Sequence, residues 1–130
     1  MAQHLQVRLV AADREVWSGE ARTVTARTMD GDIGVLPGHT PLLGVLVNGA
    51  VGIRQEHGEV VEAAVHGGFL SIADDEVMIL AESAELAQEI DVDRARRALE
   101  DARRSVEGDE DALGAAERAQ TRLRVAGVGL

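Results

Sequence analysis

The spacing of apolar residues changes period once along this chain of 130 residues, and that change confines the fold to two modules of different physics. From Leu5 to about Leu80 the runs are short and of β type, as in Leu5-Gln6-Val7-Arg8-Leu9, where apolar and polar side chains alternate. Leu42-Leu43-Gly44-Val45-Leu46-Val47 and Val77-Met78-Ile79-Leu80 are apolar throughout, which predicts strands covered on both sides or corners of a closed sheet. Turn residues at Asp30-Gly31, Pro37-Gly38, Asn48-Gly49, His57-Gly58 and Asp74-Asp75 punctuate these runs at the interval expected of a sandwich or barrel. Residues 1–84 are therefore read as an all-β module.

After Glu82 the period becomes helical. Val92, Ala95, Leu99, Ala102 and Val106 draw one apolar stripe and predict a helix over about 91–106. Glu107-Gly108-Asp109 supplies a glycine stop and a cap for a second helix, whose stripe is Ala112, Ala116, Ala119, Leu123 and Ala126. So short a connection predicts an antiparallel α-helical hairpin over residues 85–130, giving an α+β chain. Most of the second stripe is Ala. A buried methyl contributes roughly 0.8 kcal/mol against about 1.5–3 for Leu or Val, so the hairpin is expected to be held within a few kcal/mol. Either it detaches, as a conformational switch requires, or its small residues serve only close packing.

Composition excludes several classes of chemistry. All 13 basic residues are Arg, which removes a phosphate-loop lysine and a Schiff-base lysine. There is no Cys, hence no thiolate nucleophile, disulfide or thiolate metal site. A net charge of −10 opposes broad attraction to nucleic acid or to an anionic membrane surface, so proteins are the expected partners. Trp17 and Phe69 are the aromatic residues, which leaves little surface for stacking bases. Met1 to Gln6 shows no basic segment leading into a long apolar one, so no signal peptide is expected. The longest apolar run, Pro41 to Val47, is far shorter than the ~20 residues of a spanning helix, and a soluble chain is expected.

The densest cluster of special residues is Met29-Asp30-Gly31-Asp32-Ile33-Gly34-Val35-Leu36-Pro37-Gly38-His39-Thr40-Pro41-Leu42-Leu43. It reads as a turn, a short strand and a Pro-Gly turn, and it lacks the glycine pattern that cradles phosphate. His39 shares no ligand spacing with His4, His57 or His66, so a hydrogen-bonded turn residue is the simpler reading. Asp30 and Asp32 read as solvated turn carboxylates. Gly67-Gly68 before Phe69 marks a bend or bulge, or a close approach of another backbone. Asp91 stands where a helix N-cap belongs, and Arg94, Arg96, Arg97, Arg103 and Arg104 alternate with Glu100 and Asp101 as on a solvated helix face.

Four segments in this order resemble the epsilon subunit of the F-type ATP synthase, over essentially the whole chain: Gly31-Asp32-Ile33-Gly34-Val35-Leu36-Pro37-Gly38-His39-Thr40-Pro41-Leu42, Gly67-Gly68-Phe69-Leu70, Val77-Met78-Ile79-Leu80-Ala81, and Ile90 to Ala95. The resemblance implies an N-terminal β-sandwich bound to the gamma subunit and the membrane c-ring, then a helical hairpin. It implies a non-catalytic rotor subunit at the cytoplasmic face of the bacterial plasma membrane, associated with the membrane only through the complex. The loop from Met29 through Asp30 and Gly31 to Asp32, with His39, would face the c-ring and gamma. The hairpin would lie on the sandwich or extend along gamma to the alpha/beta catalytic head and block hydrolysis, with Arg103, Arg104, Arg118, Arg122 and Arg124 meeting acidic surface there. Some members bind ATP as a regulatory ligand, no cofactor being required, through a motif that Ile90, Asp91, Arg94 and Ala95 match; Glu85, Arg118 and Arg122 fall at further ligand positions. The motif's arginine one heptad after Arg94 is Asp101 here, which points to weak ATP binding, with Arg97 or Arg104 as substitutes. A free-standing nucleotide-sensing adaptor is the alternative. A small sandwich enzyme is disfavoured, since no nucleophile or acid-base pair has the required spacing.

Overall fold

The computed structural model describes residues 4–105 and 109–127. The strands are β1 (Leu5–Ala11), β2 (Glu15–Ala21), β3 (Thr23–Thr28), β4 (Gly31–Val35), β5 (Leu42–Leu46), β6 (Gly49–Arg54), β7 (Val60–Ala73) and β8 (Glu76–Leu86). A 3-10 turn at Ala87–Glu89 leads into α1 (Val92–Arg103) and α2 (Glu110–Val125). The turn pairs read from the sequence fall at strand junctions, with Gly31 and Gly49 opening β4 and β6, and Asp74 and Asp75 adopt φ of 50° and 62° at the tip of the β7–β8 hairpin. β8 runs to Leu86, two residues past the expected module boundary at 84.

Hydrogen bonding runs in the order β2-β1-β8-β7-β5-β3-β4, with β6 bridging β3 and β7. β1 and β8 are parallel neighbours and the other pairs are antiparallel. Because β3 meets both β5 and β6, and β7 meets the same two, the sheet curls over itself into a sandwich. Alternate side chains of each strand fill its interior: Leu5, Val7 and Leu9 of β1; Val24 and Ala26 of β3; Val51 and Ile53 of β6; Ala63, Val65, Leu70 and Ile72 of β7; Val77 and Ile79 of β8. The branched aliphatics do what aromatics do elsewhere, each contributing about 1.5–3 kcal/mol before entropy is counted.

β7 is the organising strand. Its first part, Val60 to Val65, pairs with β6; its second part, Gly68 to Ile72, pairs with β5; β8 follows it along both. The exchange of neighbours happens at Gly67 and Gly68, with φ of 71° and 122°. The pairing of His66 with Ser83 and of Gly68 with Ala81 keeps one register across the bend, so the glycines turn the strand without inserting a residue. A Cβ on Gly68 would overlap the Leu80 carbonyl oxygen and stand 2.8 Å from Ala81 Cα.

The fully apolar runs differ from expectation. In β5, Leu43 is 73% and Val45 43% exposed, and in β8 Leu80 is 48% exposed, so these strands are covered on one side only. α1 ends at Arg103, and Val106, Glu107 and Gly108 of the expected helix end and glycine stop lie outside the described residues. Asp109 caps α2, accepting from the Asp111 and Ala112 N–H groups. Ala95, Leu99, Ala119 and Leu123 form the buried seam between the helices. α2 also buries Thr121 and Val125, a second face that the single apolar stripe did not reveal.

Gly68→Ala is expected to destabilise the sandwich by at least ~2 kcal/mol, since neither β7 nor Leu80 can retreat from a strand pair. Gly34→Ala, with nothing within 4 Å of the added carbon, is expected to stay within ~0.5 kcal/mol. Urea unfolding of both variants checks the contrast.

Candidate functional site

Two surfaces carry the side chains that a function would use, and the bend in β7 divides them. Beyond the bend, the outward side chains of four strands stand in line across the sheet: Val10 of β1 opposite Leu80 of β8, Leu80 opposite Phe69 of β7, and Phe69 opposite Val45 of β5. A second row runs Arg8, Met78, Ser71, Leu43. Phe69 is 53% exposed and Leu43, Val45 and Leu80 are also open to solvent. Val10, Val45, Phe69 and Leu80, with Gly67 and Gly68, line a groove of about 380 Å³. Large apolar side chains in register on an otherwise strongly charged chain mark a surface for another protein.

Met29, Asp30, Gly31 and Asp32 form the β3–β4 turn, in which Thr28 Oγ1 accepts from the Asp30 N–H and donates to the Gly31 carbonyl. Met29 is 71% exposed. Asp32 pairs with Arg27 at 3.4 Å. His39 belongs to the Pro-Gly turn: its N–H donates to the Leu36 carbonyl, and its Nδ1 lies 2.6 Å from the Thr40 carbonyl oxygen, a local engagement of the kind expected of a turn histidine. The Gly38 N–H donates to Asp75 Oδ1, which fastens this turn to the β7–β8 hairpin. Among the described residues no hydrogen bond or ion pair joins His39 to Asp30 or Asp32.

On the near side of the bend, the outer face of β7 is covered by the hairpin. Ala64 packs against Ile90 and Val125, with Ala87 and Ala126 at the margin. Beside this small apolar cluster, Arg122 Nε donates to Glu85 Oε1 at 2.5 Å. Farther along α2, Asn48 Nδ2 donates to Glu117 Oε2 at 3.3 Å. At the connector, Arg14 and the Leu86 N–H both bind Glu89 and hold its carboxyl below the usual range, the backbone bond first.

The remaining residues of the ATP motif gather unevenly around this contact. Ile90 against Val125 brings the start of α1 beside the end of α2, which carries Arg122. Arg94 is exposed there, and Arg118 is exposed on α2. Asp91 is the N-cap of α1, its Oδ1 accepting from the Arg94 N–H at 3.0 Å. Ala95 is buried in the seam between the helices. Asp101 forms an ion pair with Arg104, so its charge is partly answered. Capping accounts for Asp91 and packing for Ala95; Glu85, Arg118 and Arg122 are the polar groups brought together.

The sequence missed two things here. The outward apolar rows follow from the phase of four strands relative to one another, and the alternation within β5 was hidden by apolar residues on both its faces. His66, which the sequence considered only for ligand spacing to His39, is a residue of β7 and is 4% exposed.

Residues 4–87 match the family model described as ATP synthase, Delta/Epsilon chain, beta-sandwich domain. The chain is 62% identical to the ATP synthase epsilon chain of Streptomyces griseus over 98% of its own length and 99% of that protein's. It is 50% identical to the epsilon chain of Thermobifida fusca, covering 97% of this chain and 94% of that one. Among solved structures it is similar to a chain of the Euglena gracilis mitochondrial ATP synthase OSCP/F1/c-ring assembly, with TM-score 0.75 and 25% identity over 96% of this chain and 78% of that one. A chain from the Tetrahymena thermophila mitochondrial ATP synthase central stalk/c-ring shares the fold at TM-score 0.55 and 18% identity, covering 93% and 92%.

Asp91→Ala is expected to weaken the hairpin by about 1 kcal/mol through loss of the α1 cap, and Asp91→Asn to restore most of it. Hydrogen exchange of the α1 amides reads the difference; a stability unchanged in Asp91→Ala would contradict the capping role.

Proposed function

This chain belongs to the ATP synthase epsilon-chain family, and from that membership we propose that it is a non-catalytic subunit of the rotating central stalk, joining the gamma subunit to the c-ring. The observation that carries the docking is the outward row Val10, Leu80, Phe69 and Val45 with Leu43 beside it. An apolar strip of this kind fits an apolar face of gamma, because burying it releases water at roughly 25 cal/mol per Å². The polar turn Met29-Asp30-Gly31-Asp32 and the turn of His39 fit the polar loops of the c-ring, with Asp30 and Asp32 offered to basic groups. The absence of Lys and Cys from the sequence removes the corresponding nucleophiles and supports a role in coupling, with phosphate chemistry on other chains.

The hairpin is the regulatory part of this reading. Ala64, Ile90, Val125, one partly exposed ion pair and the exposed Asn48–Glu117 hydrogen bond hold it to the sandwich, a contact of only a few kcal/mol. It releases, extends toward the alpha/beta catalytic head and restrains ATP hydrolysis there, presenting Arg103, Arg104, Arg118, Arg122 and Arg124 to acidic surface. ATP is a regulatory ligand of the docked form, held weakly by Arg94, Arg118 and Arg122 near Glu85, Ile90, Asp91 and Ala95. Arg122 must then share itself between Glu85 and the phosphates, which, with Asp101 in place of an arginine, keeps the affinity low. On this reading the chain sits at the cytoplasmic face of the plasma membrane. No described helix is long and apolar enough to cross a membrane, so attachment runs through the partners.

The test adds the full chain, a Phe69→Glu variant, or a truncation after Glu89 to a stalk-and-head complex lacking this subunit. The truncation keeps the connector that Arg14 and Leu86 brace. Phe69→Glu is expected to bind at least ~10-fold more weakly, and the truncation to bind fully without inhibiting hydrolysis. Full binding by Phe69→Glu would move the docking surface elsewhere, and no binding by any form would favour the free adaptor. Calorimetry with millimolar ATP checks the ligand separately: heat lost on Arg122→Ala is expected, and no heat from the unmodified chain refutes ATP binding.

A further inference from the structure

We propose that His66 is a proton-operated latch: protonation of its imidazole releases α2 from β7, so that mild acid frees the hairpin. The inference rests on the detachable hairpin of the preceding reading and adds the signal that detaches it.

Ala63 and Val65 point into the sandwich, so Ala64 and His66 share the opposite face of β7. Ala64 is sealed there by Ile90 and Val125, and His66 is as deeply covered, at 4% exposure. Neither Nδ1 nor Nε2 of His66 has a hydrogen-bond partner. A buried imidazole left in that state favours the form with least charge to desolvate, and here its neighbours strengthen the preference.

The charged groups around it come from two sides. α2 presents Arg118 and Arg122, both of which repel an imidazolium. β8 presents Glu85, which among the described residues favours the charged ring, but its carboxylate is already bound by Arg122. Glu82, also of β8, lies beside Gly67. Ser83, directly opposite His66, is neutral. Among the other strands and turns packed on β7, β5 has no titratable residue, β6 has Arg54 at its far end opposite Val60, and the 3-10 turn has Glu89, taken by Arg14 and the Leu86 N–H. Burial, followed by Arg122, lowers the His66 pKa from 6.5 to about 4.

Docked, His66 resists a proton; released, it meets water and takes one at its ordinary pKa. The docking that depends on neutral His66 is fully present above pH ~6.5 and is lost as pH falls from there toward ~4. With these two values, the docking equilibrium falls about tenfold between pH 8 and pH 5.5. On a contact as small as this one, a tenfold change is a large share of what holds the hairpin. Acidification of the compartment around the stalk would then favour the released hairpin.

Hydrogen exchange of the α2 amides in the full chain, corrected for the intrinsic pH dependence and referenced to the sandwich core, measures this opening. The opening constant is expected to rise about tenfold from pH 8 to pH 5.5 in the unmodified chain and by less than about twofold in His66→Gln. Opening that ignores pH, or an equal rise in His66→Gln, overturns the latch and leaves the mobile hairpin standing. If α2 amides exchange only with unfolding of the sandwich, the mobile hairpin falls and the latch with it. Because the variant alters a buried side chain, an NMR titration of the unmodified chain provides the second reading: His66 is expected to stay neutral down to about pH 4 while docked. A His66 titrating near 6.5 with the α2 resonances unmoved overturns the latch.

Discussion

At Gly68 the backbone of β7 approaches β8 so closely that a single methyl group would collide with the Leu80 carbonyl oxygen. That contact lets one long strand leave the company of β6 and join β5 without losing register on β8. It turns the outer face of β7 at the same point. Ala64 and His66 on one side of the bend lie under the hairpin, whereas Phe69 on the other side looks out to solvent. The separation of the face under the hairpin from the exposed apolar face is therefore a consequence of backbone geometry that only glycine permits.

The two surfaces differ in strength because they differ in side-chain chemistry. The row from Val10 to Val45 is made of large apolar groups in register, suited to a lasting contact with a partner whose burial is favourable throughout rotation. The hairpin contact is made of Ala, one Ile, one Val, a partly solvated ion pair and one exposed hydrogen bond. Contacts of that size sit near the energy that a bound nucleotide or a proton can supply. The connector between sandwich and hairpin is braced by Arg14 on Glu89 and by the Asp91 cap, which give the hairpin a defined hinge.

His66 illustrates how a residue of no apparent promise acquires a role. Along the sequence it is a histidine in a strand, remote from any other ligand. In space it is an uncharged ring between two arginines and a carboxylate that is already engaged. Leaving its nitrogens unpartnered costs less while the ring is neutral than it would once the ring is charged.

Much was legible without coordinates. The change of apolar period separated strands from helices, the turn dipeptides located the strand ends, and the four quoted segments pointed to the family. The order Ile90-Asp91-Val92 announced a capped helix, and Asp91 caps it. These features depend on near neighbours in the chain, and local stereochemistry decides them. Tertiary structure alone decided which apolar residues of β5 and β8 face water, since both faces of those strands carry the same chemistry and only pairing with β7 sets their phase. It alone decided that α2 has a second buried face and that Glu85 and His66 meet Arg122, because these contacts join segments far apart in sequence and depend on how the sheet curls.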